Sequence, residues 1–89
     1  MLVYIVTMNV MTAEPIVFTT RWCGYCTRLK SQLSRAGIDF HEIDIEDHAE
    51  GAAVVAQVND GNLTVPTVVF HDGSALTNPS AAEVSSRLG

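Results

Sequence analysis

IVFTTRWCGYCTRLKSQLSRAG, residues 16–37, decides the fold. Its first four residues, Ile16 to Thr19, form a short apolar run of the kind that becomes a buried strand. A loop, Thr20-Arg21-Trp22, leads to Cys23. From about Gly24 to Ala36 the period changes: Cys26, Leu29, Leu33 and Ala36 recur at spacings of three and four and share one helical face. Gly37 is a natural stop, because glycine takes the left-handed conformation that follows many helices. A strand, a Cys-x-x-Cys and a helix therefore run together without a break.

Beyond Gly37, Ile38 to Ile45 (IDFHEIDI) alternates apolar and polar residues and reads as a strand with an irregularity near Glu42. Asp47 to Val58 reads as a second helix, with Asp47 as N-cap and Glu50 three positions later in a capping box. Gly51 weakens its first turn by about 1 kcal/mol relative to alanine. Asn59-Asp60-Gly61-Asn62 is a loop and Thr67 to Phe70 a strand. Asp72-Gly73 is a strong hairpin turn, followed by a short strand at Ala75 to Thr77. The last helix starts in one of two ways: Asn78 caps it with Pro79 as its first residue, or Ser80 caps it with Glu83 completing a box. The order is βαβαββα. Strands joined through a helix are parallel and right-handed, and the hairpin pair is antiparallel. An α/β fold follows, with a four-stranded mixed sheet flanked by helices on both faces.

Composition agrees with one small domain. Apolar residues make up 47% of the 89 residues, enough for a single core and unlike a disordered chain. The net charge of −5 argues against nucleic acid or anionic lipid as a partner. Four of the five basic residues (Arg21, Arg28, Lys30 and Arg35) fall between 21 and 35, so the segment with both cysteines is locally basic. Residues 1–11 (MLVYIVTMNVM) are apolar. They lack a basic start and a small-residue cleavage site, which makes a poor signal peptide, and they are too short to span a membrane. They read as an edge strand at Leu2 to Val6 or as an N-terminal extension with Met8 or Met11 as the true start. The extension is preferred, because residues 12–89 already make a complete fold. The expected location is the cytoplasm and the expected state a monomer.

The chemistry lies at Cys23 and Cys26. A secreted disulfide-held domain usually carries four or more cysteines at wider spacing; one close pair reads as redox chemistry or half a metal site. Zinc or an iron–sulfur cluster needs four ligands, and the chain supplies two thiolates. His41, His48 and His71 have no ligand-like spacing to the pair, so no metal is expected. Three physical facts favour exchange chemistry. Cysteines one helical turn apart can approach closely enough to close a disulfide. The helix start favours a thiolate at Cys23, and Arg21, with Arg28 or Lys30, could add to that field. Cys26 lies on the buried face while Cys23 precedes the first turn, which assigns Cys23 as nucleophile and Cys26 as resolving thiol. Trp22 and Tyr25 flank the pair, either as a surface for a substrate thiol or as loop anchors. Pro66 opens the third strand, where a proline is confined to an edge, a first residue or a special bond. The Val65–Pro66 bond tolerates the cis form at small cost. The Thr64–Val65 backbone would then face Cys23 and offer hydrogen bonds to an extended thiol ligand.

Together, WCGYC (22–26), TVP (64–66) and the Asp72-Gly73 hairpin resemble the glutaredoxins of the thioredoxin fold, over roughly Pro15 to Leu88. The resemblance implies a thioredoxin-like fold, a nucleophilic Cys23, a cis Pro66, and cosubstrate binding by the backbone of Thr64-Val65. Glutathione-using members usually carry Gly-Gly and then Asp after the hairpin. Here the stretch is LTNPSAAEV, Leu76 to Val84, so the thiol-binding end is changed. WCGYC, NDGN (59–62), TVPTV, DGS and LTNPSA are similar to the mycoredoxin branch, which adds Thr77 and Asn78 to the candidate site.

That branch implies reduction of mixed disulfides between proteins and mycothiol. Mycothiol is the cosubstrate, a separate NADPH-dependent reductase recycles it, and no tightly bound cofactor is needed. Two alternatives remain in view: a glutathione-type glutaredoxin, and a dithiol donor reduced by thioredoxin reductase. The latter group usually carries a WSGF-type segment near its C-terminus, and Trp22 is the single tryptophan here.

Overall fold

The computed structural model describes residues 14–88; the expected extension over residues 1–11 lies outside them. Four strands and three helices follow the expected order. They are β1 (Ile16–Thr19), α1 (Gly24–Arg35), β2 (His41–Asp44), α2 (Ala49–Val58), β3 (Thr67–Val69), β4 (Ala75–Thr77) and α3 (Ala81–Leu88). The strands form one sheet in the order β2-β1-β3-β4. β1 and β2 are parallel, with Phe18 opposite Ile43. β1 and β3 are antiparallel, with Val17 opposite Val68, as are β3 and β4, with Val68 opposite Leu76.

Alternation along β1 divides the interior. Val17 faces a core with Leu29 and Leu33 of α1, Val68, Phe70 and Val84 of α3. Phe18 faces the other side and packs with Ile45 and with Val55 of α2. So α1 and α3 cover one face and α2 the other. This is the outcome of period-2 side chains on a strand buried on both sides. Among the described residues no helix is long and apolar enough to cross a membrane.

Local chemistry explains the element ends. α1 closes with Ala36 as C-cap and Gly37 at φ +73°. The Gly37 N–H bonds to Ser34 O at 3.1 Å and the Ile38 N–H to Leu33 O at 2.9 Å. These are the two bonds of a Schellman end, and Ile38 packs on the core containing Leu33. At the hairpin Gly73 takes φ +91°, and the Asp72 carboxylate accepts from the Ser74 N–H and hydroxyl at 2.9 and 2.7 Å. α3 resolves the two expected starts in favour of Ser80. Its Oγ accepts from the Glu83 N–H at 3.1 Å while the Glu83 carboxylate accepts from the Ser80 N–H at 2.8 Å, a reciprocal box.

The start of α2 differs from the sequence reading. Its N-cap is His48, whose Nδ1 accepts from the Gly51 N–H at 3.3 Å. Asp47 is drawn away by the Arg21 guanidinium, 3.2 Å from its carboxylate. Gly51 is also more than a weak helix residue. A Cβ there would lie 2.9 Å from Ile43 Cγ2 and 3.3 Å from Phe18 Cε1, so its absence lets α2 sit close on β1 and β2. The expected strand over 38–45 shortens to His41–Asp44, with Ile38 and Phe40 packing on the α1 core from the connection.

Candidate active site

β1 delivers the chain to the start of α1, and Cys23 occupies that start as the N-cap residue in extended conformation. Its Sγ accepts from the Cys26 N–H at 3.1 Å, one of the donors a helix start leaves without an intrahelical partner. Cys23 and Cys26 are joined as a disulfide with Cα atoms 5.2 Å apart. Their surroundings differ. Cys26 is 1% exposed, on the face shared with Leu29 and Leu33, and Cys23, at 9%, is less completely sealed but also buried. No acidic residue stands in the first turn of α1.

The loop before β3 forms the opposite wall. The Val65–Pro66 peptide is cis, and Val65 O lies 3.9 Å from Cys23 Sγ. Thr64 is exposed, Val65 half-buried and Pro66 buried. The Asn78 N–H bonds to Pro66 O at 2.7 Å, with Asn78 at φ +50°, so the turn after β4 is tied to the proline loop. The Thr77 hydroxyl donates to Asn59 Oδ1 at 2.7 Å. Thr77 thus meets Asn59, while Asn78 borders the groove between α1 and α3.

That groove encloses about 330 Å³. Tyr25, Arg28 and Gln32 line one wall, and Asn78, Ser80 and Glu83 the other. Trp22 and Tyr25 are 73% and 65% exposed and part ways. Tyr25 borders the groove. The Trp22 indole N–H donates to Glu46, 3.2 Å away in the β2–α2 connection. Acids answer two of the four residues of the basic cluster. Arg21 lies 3.7 Å from Asp44 and 3.2 Å from Asp47, and Lys30 lies 2.8 Å from Glu42. Arg28 has no ion-pair partner among the described residues, so it carries the local positive charge into the groove. Glu42 also accepts from the buried Thr19 hydroxyl at 2.8 Å. The Lys30 hydrogen bond is the largest influence and holds its carboxyl below the ordinary value; burial opposes it, and the Thr19 hydrogen bond and the Lys30 charge add smaller lowering effects. Among the described residues, no group of three His, Cys, Asp or Glu side chains comes together as a metal cage.

Two residues near the site stand in the quoted NDGN and TVPTV segments, but the sequence reading gives neither of them a role. Thr67, fully buried on β3, donates its hydroxyl to Thr64 O at 2.7 Å. Asn59, the C-cap of α2, donates from Nδ2 to Thr67 Oγ1 at 3.0 Å and to Val55 O at 2.9 Å. The available signal was a polar residue directly after the last apolar helical position, together with a threonine in an apolar strand.

A Cys-x-x-Cys disulfide at the mouth of a helix, facing a cis-proline loop on this mixed sheet, defines a thiol–disulfide oxidoreductase with a redox-active centre at Cys23 and Cys26. The glutaredoxin family profile matches residues 16–74, and the chain belongs to that family. It is 54% identical over 78 residues to a Mycobacterium tuberculosis protein provisionally named as a glutaredoxin, covering 88% of this chain and 93% of that one. It is 42% identical over 72 residues to Mycoredoxin 1 of Corynebacterium glutamicum, covering 81% of this chain and 89% of that one. The crystal structure of the glutaredoxin from Methanosarcina mazei shares the fold, with a TM-score of 0.75 at 22% identity, covering 88% of this chain and 80% of that one.

Proposed function

We propose that the protein reduces mixed disulfides between proteins and mycothiol, with Cys23 as the attacking thiol. The observation that carries the choice of nucleophile is the asymmetry of the pair. Cys23 is the N-cap and keeps some exposure, with the Cys26 N–H aimed at its sulfur, while Cys26 is sealed on the core face. Helix-start donors favour the thiolate of reduced Cys23, and the thiolate is the species that attacks. The similarity to Mycoredoxin 1 supports mycothiol as the cosubstrate. So does LTNPSA in place of a Gly-Gly-Asp end.

The Cys23 thiolate attacks the mycothiol sulfur of the mixed disulfide. That S–S bond breaks, the target protein leaves as a thiolate and takes up a proton, and Cys23 carries mycothiol in a new disulfide. A second mycothiol thiolate then attacks the bound mycothiol sulfur. Mycothiol disulfide leaves and the Cys23 thiolate is restored, so the electrons come from mycothiol. A separate NADPH-dependent reductase recycles that product. In the dithiol route Cys26 attacks Cys23 Sγ instead, releasing mycothiol and forming the internal disulfide; the closed pair favours this as an accessible branch. Thr64 and Val65 receive the cosubstrate backbone beside Pro66. Trp22 and Tyr25 flank the exchanging sulfurs, and Thr77 and Asn78 belong to the cosubstrate end. The expected setting is the cytoplasm, with the protein acting as a monomer.

The test is turnover of a peptide–mycothiol and a peptide–glutathione mixed disulfide by the wild type, Cys23→Ser and Cys26→Ser. The expected result is a mycothiol preference, abolished by Cys23→Ser and retained by Cys26→Ser. Equal or better use of glutathione would replace the proposal with a glutathione-type glutaredoxin. Turnover of neither, with NADPH oxidation in the presence of thioredoxin reductase alone, would replace it with a dithiol donor.

A further inference from the structure

We propose that Asn59, acting through Thr67, is a positioning residue that orients the Thr64–Val65 peptide and so sets affinity for the small-thiol cosubstrate. The inference rests on the reading that this peptide edge receives the amides flanking the cosubstrate sulfur. Thr67 has one hydroxyl proton, and it goes to Thr64 O at 2.7 Å. The hydroxyl oxygen must therefore accept from Asn59 Nδ2, at 3.0 Å. Asn59 is itself oriented, because Oδ1 accepts from Thr77 and Nδ2 also reaches Val55 O. One carboxamide thus joins the end of α2 to β3 and β4.

The consequence follows from peptide geometry. The Thr64–Val65 peptide is not among the cis bonds, so it is planar and trans, and its C=O and N–H point in opposite directions. Drawing Thr64 O toward Thr67 turns the Val65 N–H the other way. A residue before proline is held extended, and an extended residue presents its N–H and C=O to the same side, as in a strand pair. Val65 O faces Cys23 Sγ at 3.9 Å. Among the described residues the Val65 N–H has no backbone acceptor in the loop bonds. Val65 therefore offers a donor and an acceptor beside the reactive sulfur, the pairing edge that an amide-bearing ligand uses when it adds to a backbone. Without the Asn59–Thr67 chain, the carbonyl of Thr64, an exposed residue, can turn to water and the edge loses its fixed direction.

The experiment compares a peptide–mycothiol mixed disulfide with the mixed disulfide of the same peptide and 2-mercaptoethanol, which has no amide beside sulfur. In Thr67→Val, KM for the mycothiol disulfide is expected to rise about tenfold, the size of one lost hydrogen bond. Its kcat should stay within about twofold, as expected for lost uniform binding. KM for the mercaptoethanol disulfide and the thiolate titration of Cys23 should not move. Thr67→Ser should restore the wild-type values, and Asn59→Ala should reproduce the shift in part even if Thr67→Val folds poorly. A wild type that does not discriminate between the two disulfides overturns the edge reading and the inference with it. A wild type that discriminates, with both variants discriminating equally well, overturns the inference alone. Parallel losses on both substrates that Thr67→Ser does not rescue also overturn it, since they indicate general damage.

Discussion

The starts of α1 and α3 answer one physical problem in opposite ways. Each leaves backbone N–H groups without intrahelical partners. At α3 a hydroxyl and a carboxylate, Ser80 and Glu83, fill the need reciprocally. At α1 the acceptor is a sulfur, and the first turn holds no acid. The two starts lie on the same side of the sheet, around one groove. The α3 start is saturated by its own side chains and gives stability. The α1 start leaves its positive end to whatever charge Cys23 carries, and that unspent field is available to a thiolate.

Replacing the sulfur breaks the comparison most sharply. Cys23→Ser should take disulfide exchange to background while the denaturation midpoint equals or exceeds that of the reduced wild type, because serine is a strong N-cap. A drop in that midpoint would mean the sulfur contributes more than an acceptor. A smaller effect comes from the other start: Ser80→Ala should lower stability by about 1 kcal/mol, read from urea unfolding. The smallest concerns Glu42, held below its ordinary 4.5 chiefly by Lys30. A carboxylate with a depressed folded-state value stabilises above its unfolded value and loses that contribution as pH falls through the folded one. The wild type should therefore lose a little stability as pH falls below about 4.5, and Lys30→Met should flatten that limb of the curve. The pair is more than a third exposed on the Glu42 side, so the difference should amount to a few tenths of a kcal/mol at most and shrink in salt.

The contrast between helix starts also shows what a sequence can reveal. The α3 box and the Cys23 position are local: acceptor and donor lie three residues apart, within reach of pattern reading. So are the Gly37 stop and the Asp72-Gly73 turn, and with them the whole element order. The start of α2 was misassigned because Asp47 is claimed by Arg21, 26 residues earlier, a competition no local pattern contains. The value of Gly51 depends on Phe18 and Ile43 across the sheet. Asn59 escaped for the same reason, since its partners Thr67 and Thr77 are 8 and 18 residues away. The basic cluster around the cysteines is visible in the sequence, but its pairing with Asp44, Asp47 and Glu42 is not; among the described residues the structure leaves Arg28, beside the groove, and Arg35, in the last turn of α1, without an acidic partner.

Trp22 gives this molecule an optical consequence. It is the sole indole in the chain, it is bonded directly to Cys23 in sequence, and Glu46 tethers its ring at 3.2 Å on one side of the pair. A disulfide and a dithiol quench a neighbouring indole to different extents. Indole fluorescence of the unlabelled protein therefore comes from one chromophore beside the reacting bond. Its brightness should track the redox state of Cys23 and Cys26 in real time, and each half of the exchange cycle can be followed without a coupled enzyme or a dye.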